Sequence, residues 1–415
     1  MPESIDTLII GAGLAGLSCA QHLHRHGVPF QIVEAADAVG GRVRTDKVDG
    51  FLLDRGFQVL ADAYPTARRL LDYQALDLRS FLPGAQIFHD GKFRRMLDVW
   101  RHPSTLAHAA LQPIGTWRDK YLVAKLRHRV CQLSLEDIWS APELRTEEYL
   151  RQFGFSEAML DGFFRPFYGG VFLENRLESS SRMFEFTFKM FAQGHATLPA
   201  LGMGEIPRQL AAHLPADSLW LNSPVVSLIG QKVRLQSGKE WSAKHVVVAV
   251  DAQHAHQWLP HIPAPAWRSV TTLSFAAPSS PLAGEPILAV QSGRDPLIQG
   301  LCVPSDVSPH YAPSGQSLVT VTVLGAPPVG ELDARVRRVL TGWFGSVVAD
   351  WDLLRCQTIR QALPVYRVGQ TKPAHSGNAD SDRIVCGDYF GNASIDGALQ
   401  SGLAAAEKIL QVKAK

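Results

Sequence analysis

Cysteine is sparse in this 415-residue chain: there are five, Cys19, Cys131, Cys302, Cys356 and Cys386, with no CxxC pair among them. Such scatter argues against a disulfide scaffold or a cysteine-built zinc site, and it suits a reducing compartment. Charge of one sign is missing too. Lysine and arginine number 41 against 39 acids, so no global field points to nucleic acid or another polyanion. No apolar run reaches the roughly 18 residues of a membrane span. The opening Met1 to Asp6 leaves no room for a secretion signal before a strand-like run begins, and a cytoplasmic protein is the expectation. HExxH, paired carboxylates and an evident Ser-His-Asp set are absent as well, which fits chemistry that needs no side-chain base, and no metal site is expected.

What is present is length enough for two domains and a dense start. Thr7-Leu8-Ile9-Ile10 is a continuous apolar run, as in a strand buried on both faces. Gly11-Ala12-Gly13-Leu14-Ala15-Gly16 follows, Leu17 to His26 reads as a helix ended by Gly27, and Phe30 to Val33 reads as a second strand closed by Glu34. In this strand, GxGxxG turn, helix, strand and acid, each part has a task. Gly11 would permit the tight turn, Gly13 would let a pyrophosphate approach the backbone, and Gly16 would let helix pack on strand. The free N–H groups at the helix start then face the phosphate. Glu34 can accept hydrogen bonds from ribose hydroxyls. Six residues later Gly40-Gly41-Arg42 offers flexible backbone and a guanidinium within reach of pyrophosphate oxygens. An ordinary NAD domain has no need of that second contact.

An acid followed by x5-G-G-R after GxGxxG resembles the flavin-containing amine oxidase superfamily, which includes amine oxidases, protoporphyrinogen oxidases and phytoene-desaturase-like enzymes. The resemblance implies FAD held by Gly11, Gly13, Ala15, Gly16, Glu34, Gly40, Gly41 and Arg42. It also sets Gly56 and Phe57, in the strand-like Phe51 to Val59, beside the isoalloxazine. At the far end, Asp382 to Asp388 reads as a buried strand ending in Gly387-Asp388, and a helix opens at Ser394-Ile395-Asp396-Gly397-Ala398 and runs to about Leu410. The family pattern assigns Asp388 to the ribityl or pyrophosphate side. It aims the helix start, with Ser394, Ile395 and Ala398, at the flavin pyrimidine edge, where a helix N-terminus favours negative charge. Val225, in Leu221 to Val226, matches the adenine-holding strand, and His245 to Val250 a further strand of the same sheet. Gly202-Met203-Gly204 reads as a turn before a helix at Pro207. The fold implied is α/β. A Rossmann-type FAD-binding domain spans 1–80, 200–265 and 370–415, and an α+β substrate domain, 81–199 and 266–369, is inserted discontinuously.

Within the insertions, Ser134 to Trp139, Thr146 to Phe153 and Ser156 to Phe164 read as helices, each opened by a capping residue. Phe163, Phe164, Phe167, Tyr168, Phe172, Phe184, Phe186, Phe188 and Phe191 read as core, with some of them free to wall an apolar tunnel. Ser317 to Leu324 reads as a strand and Glu331 to Phe344 as a helix. Lys92 to Arg129 carries nine cations against Asp98 and Asp119, interleaved with Trp100, Leu106, Leu111, Trp117 and Tyr121. This is either a solvated face or one suited to an anionic membrane surface.

Many amine oxidases of the family set a lysine opposite the flavin. The corresponding strand here, Val270 to Phe275, has none, and no cysteine or histidine stands at a plausible attachment point, so the FAD is expected to be non-covalent. Gln58 is the expected polar neighbour of the flavin, and Tyr366 with Tyr389 and Phe390 its aromatic lining. Three readings follow: a desaturase or oxidase of a bulky apolar conjugated molecule, a peroxide-producing amine oxidase, and either a redox-neutral flavin-dependent isomerase or a flavoprotein whose main role is binding a partner. Oligomeric state is left open.

Overall fold

The structure is a computed structural model that describes residues 3–413 apart from 106–111, 263–264, 367, 370–376, 381–382 and 391. Leu106, Leu111 and Asp382, named above, lie outside the described residues.

The apolar start becomes the strand Glu3–Ile10, with Phe30–Val33 parallel on one side and Glu240–Val248 parallel on the other. Leu219–Trp220 extends the parallel set beyond Phe30–Val33. Glu240–Val248 is split in its pairing. Its Val246–Val248 end runs parallel to Arg383–Val385, and its start pairs antiparallel with Lys232–Leu235, which pairs with Val225–Ile229. Because strand side chains alternate in direction, Ile9, Ile32 and Val247 enter one core while Leu8, Ile10, Val33, Val246 and Val248 enter another. Both faces are covered, which explains why these strands read as unbroken apolar runs.

A second, seven-stranded sheet runs in the order Asp352–Pro364, Trp267–Ala277, Ser317–Leu324, Gly300–Cys302, Leu288–Gln291, Gly84–His89 and Lys92–Leu97. Neighbours are antiparallel except Leu288–Gln291 with Gly84–His89. Alternation again divides the labour. Leu273, Phe275, Ala289, Val319, Val321 and Val323 pack against Leu332, Val336 and Leu340 of the helix Leu332–Phe344. Val270, Leu288, Val290 and Thr322, of opposite parity, face a cavity. The helices Trp117–Gln132 and Ser181–Gln193, with shorter ones between, enclose a further core around Phe164, Phe184 and Phe186.

The structure corrects several sequence readings. The first helix is Leu14–Arg25, beginning inside the glycine turn. The strand at Phe51 stops at Asp54, so Gly56, Phe57 and Gln58 stand on a loop. Ser134 and Ser156 do cap their helices, but Thr146 is the first helical residue, and its hydroxyl donates to the Ser179 carbonyl (2.8 Å). The segment after Ser156 is one α turn, Glu157–Met159, followed by a π turn, Leu160–Phe164.

Candidate active site

A cavity of about 1230 Å³ lies between the two sheets, larger than the about 300–1,000 Å³ of an ordinary ligand cleft. One end is made largely of backbone. Gly11 bends at φ +105°, and a Cβ there would lie 2.6 Å from the Ala249 carbonyl oxygen; one on Gly16 would lie 2.0 Å from the Gly11 oxygen. Those two glycines are sealed by neighbouring chain. Gly16, which packs helix on strand, does not itself line the cavity, whereas Ala15 does. A Cβ on Gly13 would meet nothing within 4 Å. Gly13 is also the N-cap of Leu14–Arg25 and gives no side-chain cap, so the free N–H groups of that helix start open on the space.

The Glu34 carboxylate accepts from the Ala12 N–H (2.7 Å) and the Ala36 N–H (2.8 Å), which fixes its direction and leaves further lone pairs on each oxygen. Gly40 and Gly41 lie opposite Gly13, and Val225 closes the same end. The far segment arrives beside them. The helix Ile395–Lys413 packs on Leu14–Arg25 so closely that a Cβ on Gly402 would fall 2.0 Å from the Ala15 oxygen. The Ser18 hydroxyl donates to the Leu399 carbonyl (2.8 Å). This contact brings Gly387, Asp388, Ser394, Ile395 and Ala398 to the cavity wall.

Arg42 does not extend freely into this space. Its Nη2 is 2.6 Å from Asp388 Oδ1, its Nη1 donates to the Ala362 carbonyl (3.1 Å), and its guanidinium lies 5.3 Å from the Trp267 ring centre. Burial alone would lower the Arg42 pKa, but the Asp388 carboxylate outweighs it and holds the guanidinium firmly charged. Gln58 lines the cavity with its amide N–H₂ committed to the carbonyls of Arg42 (3.0 Å) and Arg55 (3.2 Å). Tyr366 also lines it, its hydroxyl 3.4 Å from the Asp388 carbonyl oxygen, and burial pushes its phenol far up, so it stays neutral. Tyr389 and Phe390 do not line the cavity; they are buried in the core with Trp258 and Trp267. Gly56, at φ +83°, and Phe57 line its middle.

The other end is walled by side chains. Phe163, Phe167, Tyr168, Phe172, Phe188 and Phe191 line it, while Phe164, Phe184 and Phe186 are fully buried behind them. Sequence spacing could not separate the two sets, since helical periodicity marks a buried face whatever covers it. It also missed three cavity residues that belong to separate elements. Arg268 donates to the Phe172 carbonyl (2.6 Å), and Arg101 and Arg127 flank Asp98 at 3.9 and 3.4 Å.

Matched against known families, residues 14–410 fit the model described as flavin containing amine oxidoreductase. The chain belongs to this family. Among curated members it is 27% identical over 259 residues to lysine-specific histone demethylase 2 of Homo sapiens, which covers 59% of this chain and 30% of that protein. It is 31% identical over 93 residues to coproporphyrinogen III oxidase of Propionibacterium freudenreichii, covering 21% of this chain and 18% of that one. The matches thus span less than a third of these relatives. A variant of putrescine oxidase superposes with a TM-score of 0.76 over 99% of this chain and 100% of that one at 16% identity, a likeness of fold.

Membership in this family of flavoenzymes implies a flavin cofactor, and the glycine end can accept one. The uncapped helix start at Gly13 suits a phosphate, and the space beside Gly13 is free of the chain's own atoms. No lysine or cysteine among the described residues lines the cavity. The histidine that does, His254, is tied to Asp251. No described helix is long and apolar enough to cross a membrane.

Proposed function

We propose that the chain is an FAD-dependent oxidoreductase acting on a bulky, largely apolar conjugated substrate. The observation that carries this reading is the composition of the aromatic end. It has no lysine, and its sole carboxylate among the described residues, Asp98, lies between Arg101 and Arg127. A cationic amine would meet no free negative charge there, whereas a flat apolar molecule would meet six aromatic rings.

On this reading the first, mixed sheet, with its parallel centre, belongs to a Rossmann-type FAD-binding domain formed by 1–80, 200–265 and 370–415. The substrate domain, 81–199 and 266–369, is inserted in two pieces and supplies the seven-stranded sheet and the aromatic helices. Gly13 and the start of the Leu14–Arg25 helix would face the pyrophosphate, Glu34 a ribose, and Val225 the adenine. Arg42, held by Asp388, supplies fixed positive charge. Ser394, Ile395 and Ala398 present a helix N-terminus to the pyrimidine edge. Bound there, FAD would supply a hydride acceptor at N5. The chain's own contribution is to orient the donor carbon and exclude water. Gln58 and Tyr366 position groups at the middle of the cavity, Gln58 through its remaining carbonyl oxygen. Because no cysteine among the described residues lines the cavity and His254 is committed to Asp251, the FAD is non-covalent, and acid precipitation should release yellow flavin into the supernatant.

The test is anaerobic flavin bleaching against a panel of amines, porphyrinogens and polyenes. Bleaching by a bulky apolar compound is expected. Rapid bleaching by a simple primary amine, with peroxide on readmission of air, would overturn the reading in favour of an amine oxidase. Turnover without net bleaching, only after prior reduction, would instead indicate an isomerase.

A further inference from the structure

The helix Trp117–Gln132 has three faces, set by its 100° step per residue. Leu122, Leu126 and Val130 are buried in the core, and Val123 and Arg127 line the cavity. The remaining face, Trp117, Arg118, Tyr121, Lys125, His128 and Arg129, is exposed. It holds two aromatics that are each 68% exposed and no acid. The helix carries five cations and a single carboxylate, Asp119, which is buried and accepts from Thr116 and Ser156. Its formal +4, set against +2 for the whole chain, leaves a net −2 on everything else. Positive charge is therefore concentrated where large aromatic rings meet solvent.

The cavity reaches the surface at the same place. Trp100 lines it yet is 47% exposed, and the Arg127 guanidinium lies 5.0 Å from the Trp100 ring centre. Three cations earlier in the basic stretch are disposed differently. Arg94 and Arg95 are half-buried, Arg95 pairs with Glu285 (3.1 Å), and Arg101 donates to the carbonyls of Phe191 and Ala192. On the helix, Arg127 and Arg129 are paired too, with Asp98 (3.4 Å) and Glu185 (3.3 Å), whereas Arg118 and Lys125 of the outward face, beside Trp117 and Tyr121, have no ion pair among the described residues.

We propose that the outward face of Trp117–Gln132 docks the protein on an anionic lipid surface, setting the opening at Trp100 and Arg127 against the bilayer. Tryptophan and tyrosine are the side chains that settle at a membrane interface, with apolar ring and polar edge each matched to their layer. Lysine and arginine beside them are drawn by anionic headgroups, and an amphipathic helix of this kind lies in the interface plane. A substrate dissolved in the bilayer would then reach the cavity without crossing water. Docking stands apart from the catalytic reading, since it is measured on the purified holoprotein without substrate.

The experiment is co-sedimentation with phosphatidylserine–phosphatidylcholine vesicles, with phosphatidylcholine vesicles and duplex DNA as comparisons. Binding to the mixed vesicles alone is expected. It should fall about tenfold or more from 0.1 to 1 M salt, over which the screening length shrinks from about 10 to about 3 Å. The variant carrying Trp117→Ser, Tyr121→Ser, Arg118→Gln and Lys125→Gln should lose binding while keeping its flavin absorption and melting temperature. Absence of binding to the mixed vesicles at 0.1 M salt would overturn the proposal. So would undiminished binding by that variant, or retention on DNA equal to that on vesicles, which would indicate a general polyanion surface.

Discussion

Just behind the glycine end of the cavity, a Cβ on Gly16 would sit 2.0 Å from the carbonyl oxygen of Gly11, which lines it. At the opposite end of the same cavity, Phe163 and Phe167 stack with ring centres 5.6 Å apart, and Phe167 meets Phe191 edge-on at 5.7 Å. The first contact is backbone against backbone, with no rotamer to absorb a change. The second set consists of half-free side chains that can turn and refill space. The two ends therefore respond differently to substitution, and the difference separates what the fold requires from what a ligand requires.

The largest effect should come at the sealed glycine. Gly16→Ala forces helix and strand apart, and we expect a loss of stability at or beyond the about 3 kcal/mol upper end of ordinary overpacking, measured by urea unfolding. Gly13→Ala, three residues away, adds its methyl group to open space. It should unfold like the parent yet purify with less flavin. Equal flavin content in the Gly13 variant and the parent would break the assignment of the glycine end to the cofactor.

Next comes Asp54, which joins the elements between the two ends. It accepts from the Thr45 hydroxyl, the Tyr311 hydroxyl (2.8 Å) and the Met203 N–H (3.0 Å). Burial raises its pKa to about 6, with those donors opposing the rise. Against an ordinary value of about 3.9, the folded chain binds this proton more tightly than the unfolded chain. Its contribution to stability is thus fully present below about pH 4 and is lost as pH rises through about 6. At about 1.4 kcal/mol per pKa unit the loss is at most about 3 kcal/mol. Asp54→Asn should flatten that part of the stability–pH profile, and an unchanged slope would sink the idea.

The smallest change in stability should come at the aromatic end. Phe163→Leu and Phe167→Leu should each cost less than about 1.5 kcal/mol. Their effect should fall on substrate instead, as a raised KM and an altered ranking of apolar compounds in steady-state assays. A stability loss like that of Gly16→Ala would make this end part of the core rather than a binding wall.

Reading the chain alone went far at the glycine end for the same physical reason. Gly11 to Gly16 fall within one βαβ unit and Glu34 and Gly40 to Arg42 follow directly after it, and their demands are those of backbone geometry, which short-range sequence records. Even there the boundaries moved: Gly56 to Gln58 left the strand because it ends at Asp54, whose carboxylate is taken up by Thr45, Met203 and Tyr311. Tyr389 and Phe390 were misplaced because their spacing from Asp388 says nothing of which side of the turn is buried.

By itself, then, the sequence determined the family, the parallel strand–turn–helix start and the lack of a lysine in Val270 to Phe275, all properties of residue type and near spacing. Only the tertiary structure decided that Arg42 is held by Asp388, 346 positions away. It alone divided the phenylalanines between core and cavity, and set Arg101 and Arg127 on either side of Asp98. Those outcomes depend on which distant elements pack together, and a local pattern of apolar and charged residues is the same whether its neighbour is protein, ligand or water.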